Sequence, residues 1–329
     1  MNEIIQARTS RLAVSGSLSR PDRRRILQLL LAAVWLLDAI LQFQPYMFSR
    51  SFVTQVIDPG TAGNPAVISR PIIWSAGVMA RHIMLYNAAF ATIQLAIAAG
   101  IFWRRTVKVA LAASIAWAVS VWWFGEGLGG ILTSASPLAG LPGAVILYAL
   151  IALLAWPVSG AAPGPAFSGG GSGGGPSVAL SGPLGRVVPR LAWLALWAAL
   201  GWYQLVPGNR APDAVSRMFA SGAAGQPGWV RFADSGPASL TAQHGLAASV
   251  VIWGLCLLTG FSVFSAQLIR AGLVLACLLG LLIWAAEGFG FLFSGRATDP
   301  NSGPLLILLA ACFWPAHGPV SQVKRTPSG

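Results

Sequence analysis

Residues 126–157 read "EGLGGILTSASPLAGLPGAVILYALIALLAWP", and residues 287–315 read "EGFGFLFSGRATDPNSGPLLILLAACFWP". Each stretch opens on a glutamate among glycines, crosses a proline-bearing segment and closes on an apolar run ending in Trp-Pro. The likeness extends backwards from both. Trp35 and Trp197, Gln42 and Gln204, and Pro45 and Pro207 are each 162 residues apart, as are "AGNP" from Ala62 and "AGQP" from Ala224. Trp123 and Trp284 fall one residue out of step, and Trp156 and Trp314 stand 158 apart after a small deletion. Self-similarity at one long period reads as a tandem duplication of one unit.

Composition says what kind of unit it is. Of 329 residues, 55% are hydrophobic and 9% charged, which is too apolar for a soluble globule. Eight apolar runs, at about 26–44, 83–102, 107–124, 142–157, 188–206, 245–262, 268–285 and 304–315, are candidate membrane helices. Strand-like alternation is missing, so a helical bundle is preferred over a barrel. The expectation is an all-α polytopic membrane protein of about eight transmembrane helices, arranged as two four-helix repeats. Four spans is an even number, so the repeats run parallel, related by a pseudo-two-fold axis along the membrane normal.

The net charge of +12 does not point to nucleic acid, because the basic residues sit in short segments beside the spans. Arg20, Arg23, Arg24 and Arg25 precede the first span, and Arg104, Arg105 and Lys108 join the second and third. Arg186 and Arg190 precede the fifth, Arg270 joins the sixth and seventh, and Lys324 and Arg325 follow the eighth. All fall on one side, which the positive-inside rule makes the cytoplasm of a bacterial inner membrane, with both termini there. The expected organisation is a basic tail (1–25), a first repeat (26–157), a Gly/Ser/Pro-rich linker (158–185), a second repeat (186–315) and a cytoplasmic tail (316–329). Cys256, Cys277 and Cys312 lie in apolar runs at irregular spacing and form no disulfide or redox motif.

The register of the repeat sorts the rare ionisable residues. Of three histidines and three glutamates, His82 and His244 are 162 apart and Glu126 and Glu287 are 161 apart. Both pairs fall toward the outer ends of the spans, where a partner or a wet cavity would offset the cost of burial. The economical partner for each glutamate is the histidine of its own half, a pair suited to acid–base work. Alternatively, the glycine-rich turn wraps its own carboxylate. Two His and two Glu brought together would be a weaker candidate for a divalent cation, since no local ligand spacing supports it. Asp38, with Gln42 one turn later, lies inside the first span, opposite Leu200 of the second half, while Gln94 stands opposite Cys256. The first half is the more polar one. Most tryptophans fit an interfacial belt, with Trp123 and Trp284, beside the glutamates, as candidates for stacking on a flat ligand. A long segment between the first two spans of each half includes "AVISRPIIWSAGVMARH", which predicts a short interfacial helix.

The four-span unit, with its basic turn in "IQLAIAAGIFWRRTVKVALAAS", resembles the DoxX/DoxD-type membrane proteins over about 87–123 and 247–284. The whole chain is similar to uncharacterised integral membrane proteins of actinobacteria. The DoxX resemblance implies a four-helix membrane unit with a redox-associated or quinone-linked accessory role, and carries over no catalytic residue. "FGEGLGG" and the long outer segment depart from that family's shorter pattern. Three readings stand: an accessory protein holding a lipid-soluble small molecule, a small-solute or ion transporter with a pathway between the repeats, and an outer-leaflet enzyme. The lipid bilayer is the one partner implied. The sequence identifies neither cofactor nor protein partner.

Overall fold

The computed structural model describes residues 22–157, 182–185 and 187–315. Most of the expected tails and linker, with Arg20, Arg186, Lys324 and Arg325, lies outside the described residues. The described chain is all helical. The first half holds α1 (Arg23–Leu41), α2 (Ala66–Arg81), α3 (Ile83–Phe102), α4 (Val107–Phe124) and α5 (Ala144–Leu154). The second holds α6 (Val187–Gln204), α7 (Ala214–Ala223), α8 (Gly228–Thr241), α9 (Gly245–Ser262), α10 (Ile269–Ala286) and α11 (Ser302–Phe313).

Every one of the eight expected spans is helical, yet only α3, α4, α9 and α10 are long and apolar enough to cross a membrane by themselves. The others fall short for two reasons. Helix α1 opens on three arginines and α6 carries Arg190, which lowers their hydropathy. Helices α5 and α11, with 11 and 12 residues, extend about 17–18 Å, roughly half of a hydrocarbon core. Of the expected 142–157 span only Ala144–Leu154 is helical, while α11 starts and ends two residues ahead of the expected 304–315.

Helix faces follow from residue spacing. Helix α1 is capped by Asp22, whose carboxylate accepts from the Arg24 N–H at 3.1 Å, and it buries Leu27, Leu31, Trp35 and Asp38 on one stripe. Within the first half α1 packs on α3, α3 on α4 and α4 on α5; in the second, α6 packs on α9, α9 on α10 and α10 on α11. Helices α5 and α11 are almost wholly buried and pack against each other at the centre. Arg25 donates to the Ile101 carbonyl at 2.9 Å and to that of Phe102, tying the start of α1 to the α3–α4 turn. The predicted interfacial helix is α2. It buries Ile68, Ile72, Ala76 and Met79 on Met47, Phe52 and Ile57 of the tight turns before it, a small core separate from the bundle.

Candidate functional site

Four successive residues after each glutamate adopt left-handed backbone: Gly127, Leu128, Gly129 and Gly130 at φ +55°, +61°, +59° and +77°, and Gly288, Phe289, Gly290 and Phe291 at +60°, +52°, +66° and +55°. This conformation costs roughly 1–2 kcal/mol for a residue bearing a Cβ. Packing offsets it: Leu128 sits against the small core, and the Phe289 ring lies 5.7 Å from Trp229 and 5.2 Å from Trp284. A Cβ on Gly127 would fall on the Gly60 carbonyl, and one on Gly288 on the Gly222 carbonyl. The amide of Asn64 donates to the carbonyls of Gly60 (2.7 Å) and Gly127 (3.3 Å), and that of Gln226 to Gly288 (2.8 Å). "AGNP" and "AGQP" therefore clamp the two turns in the same way.

The turns swing each carboxylate onto the start of the last helix of its half, α5 or α11. Glu126 Oε1 accepts from the N–H groups of Ala144 (3.0 Å) and Val145 (3.3 Å). Glu287 accepts from the Ser302 hydroxyl and from the Gly303 N–H at 3.4 Å. A helix N-terminus offers unpaired N–H groups and positive dipole, which suits an acid. Burial, and then the charge of Asp299, nonetheless push the Glu126 carboxyl well above the usual carboxylate range, against those two N–H groups. Burial likewise pushes Glu287 up to about 8, opposed by Ser302 and Gly303.

The expected His/Glu pairs do not form. His82 and His244 are exposed and stand at the N-termini of α3 and α9, where the His244 ring nitrogen Nδ1 lies 2.8 Å from the Ala242 carbonyl. Among the described residues no hydrogen bond or ion pair links either histidine to a glutamate, and no three His, Cys, Asp or Glu side chains gather as a cation site. The matched histidines mark the junction of outer helix and span, while the helix end supplies what each glutamate needs.

Asp38 and Gln42 instead meet Glu126 around a half-open cavity of about 610 Å³ lined by α1, α2 and the turns before it, α3, α4, the start of α5 and the loop before α11. Its aromatic wall includes Trp35, Phe52, Trp74, Phe90 and Trp117. Trp123 and Trp284 do not line it; Trp123 is half-exposed and stacks on Phe124 at 5.9 Å. Asp38 is 2% exposed, and its Oδ2 accepts from the Tyr148 hydroxyl at 2.7 Å. Five buried polar atoms on lining residues have no partner: Asp38 Oδ1, Gln42 Oε1, Gln94 Oε1, Glu126 Oε2 and Trp117 Nε1. Unpaired buried polar atoms are costly, and five of the residues that line this cavity carry one.

Asp299 is the acid that sequence reading missed. It arrives from the second half, its carboxylate held by the Thr298 hydroxyl at 2.8 Å and the Asn301 N–H at 2.7 Å, and burial raises its carboxyl. A signal was present: Pro142 and Pro300 are 158 apart, which sets Asp299 opposite Leu141 and Tyr148 opposite Leu306. Asp38 and Tyr148 of the first half, and Asp299, which the second half contributes, thus correspond to Leu200, Leu306 and Leu141, all three buried in the central apolar cluster. Gln204, opposite Gln42, is fully engaged: it accepts from the Ser136 hydroxyl at 2.9 Å and donates to Ser249 Oγ at 3.0 Å and the Asn209 carbonyl at 3.4 Å. The first half is open where the second is filled.

No protein-family model, no curated protein and no solved structure matches the chain.

Proposed function

We propose that the chain is a multi-pass bacterial inner-membrane protein, made of two fused parallel four-helix units, that holds a lipid-soluble small molecule in the cavity of its first unit. The observation that carries this reading is one cavity of about 610 Å³ lined by Asp38, Gln42, Gln94, Glu126 and Asp299 together with an aromatic wall. Matched neighbours, turns and clamps in the two halves support duplication, with the short central helices α5 and α11 completing their passage through the loops that precede them. Basic segments at one end of the bundle support termini on the cytoplasmic side. The DoxX-like pattern is consistent with an accessory, redox-associated role. A transport reading draws on one further observation: Asp299 of the second unit reaches the space that Asp38 opens onto, so the acids lie where the units meet.

The test is purification in native lipid discs followed by mass spectrometry of what is bound. Ser120 lines the cavity, and Ser120→Trp would occupy its mouth. A small molecule that travels with the wild-type chain and is depleted at least about tenfold from the Trp variant supports the reading. Identical profiles from the two proteins, or bulk lipid alone, would sink it.

A further inference from the structure

The polarity of the cavity wall narrows what it takes. Four of the five unpartnered buried atoms on its lining residues are oxygens, on Asp38, Gln42, Gln94 and Glu126, and the fifth is the Trp117 N–H. Asp38, Gln42 and Gln94 are 2%, 5% and 8% exposed, so water does not serve these oxygens from bulk. Three carboxyls line the space, and no Lys, Arg or His does. The nearest partners of the acids leave the account open: Tyr148 and two helix N–H groups satisfy one oxygen each of Asp38 and Glu126, and the other oxygen of each is bare. Acids gathered away from water hold their protons until a cation is brought to them, and the countercharge then restores the carboxylate. Aromatic faces at Trp35, Phe90 and Trp117 add attraction for a positive group and apolar area for a hydrocarbon body.

We infer that the ligand of this cavity is an amphipathic organic cation, a lipid-soluble amine whose ammonium donates to Asp38 and Glu126 while its apolar part lies on the aromatic wall. The inference rests on the small-molecule reading and adds the sign of its charge. Asp299, across the cavity, completes the negative lining, and the leucines opposite Asp38 and Asp299 remove the same preference from the second half.

Three probes on one skeleton test it: 4-phenylbutylamine, 4-phenylbutanol and 4-phenylbutyrate, titrated against the full chain in nanodiscs at neutral pH. The amine is expected to bind at least about tenfold tighter than the alcohol, with the carboxylate weakest. Asp38→Asn should bring the amine down to the level of the alcohol and leave the alcohol unchanged; Asp299→Asn provides the same comparison if the first variant does not fold. An alcohol or carboxylate that binds as well as the amine, with Ser120→Trp blocking all three, overturns the cation and keeps the small-molecule site. Binding of none of the three, or binding untouched by Ser120→Trp, overturns both.

Discussion

At the scale of single residues, the two glutamates show what matched spacing can and cannot reveal. Their separation of 161 residues singles them out, and each receives groups from the start of a following helix. Their partners were not legible because those N–H groups come from backbone 16–19 residues on, beyond the glycine-rich turn. The matched histidines invited a pairing by charge that the fold does not make. Glu287 carries a consequence for stability. Its carboxyl titrates at 4.5 in a free chain and at about 8 in the fold, so the folded state holds the proton more tightly. Its influence is therefore nil below about pH 4.5, grows as pH rises and is complete above about pH 8, and its sign is destabilising on the alkaline side. Thermal unfolding in detergent should show Tm falling across that window, and Glu287→Gln should shallow the slope. A wild-type Tm that climbs over the same range contradicts this burial.

At the scale of elements, the positions of the helices were legible because apolar runs are long and their ends are marked by Arg turns, glycines and prolines. The length of α5 was less so, since the expected run at 142–157 loses Pro142 and Gly143 to the preceding loop and Ala155, Trp156 and Pro157 at its end, whereas α11 has the 12 residues expected of it. Asp299 sits in the loop before α11, outside every apolar run, so its arrival at the cavity was hidden. The turns themselves give a sharp expectation. Gly127→Ala and Gly288→Ala each place a methyl on the carbonyl of Gly60 or Gly222 at a left-handed residue, and should each cost about 2 kcal/mol or more. Gly77→Ala in α2, where nothing lies within 4 Å and φ is helical, should be neutral or stabilising by up to about 1 kcal/mol. Chemical unfolding of the three variants checks the ranking; equal effects at Gly127 and Gly77 would deny the clamp.

At the scale of the whole molecule, the loops before the central helices cross between halves. The Tyr203 hydroxyl donates to the Ile131 carbonyl at 2.9 Å and Asn209 to that of Ser134 at 3.0 Å, while Gln44 donates to Ala297 at 3.2 Å and Arg296 lies 5.8 Å above the Tyr46 ring. Such pairings join residues of no shared pattern, which is why the sequence indicated two units and not their embrace. With α5 buried on α11 as well, neither half should stand alone. Cut between Pro157 and Gly182 and co-expressed, the two pieces should copurify as a 1:1 complex, whereas each expressed singly should aggregate or be degraded. A monodisperse single half on size exclusion would overturn that dependence.

The pairing of an open half with a filled one also bears on how such a molecule can change. Two identical subunits receive every substitution twice, so an acid written into one site is written into its twin, and both bear the cost of burying it. One continuous chain has separate codons for Asp38 and Leu200, for Asp299 and Leu141, and for Tyr148 and Leu306. The leucine side can be selected for cohesion alone, leaving its partner free to explore polar chemistry that a symmetric dimer would have to tolerate in duplicate.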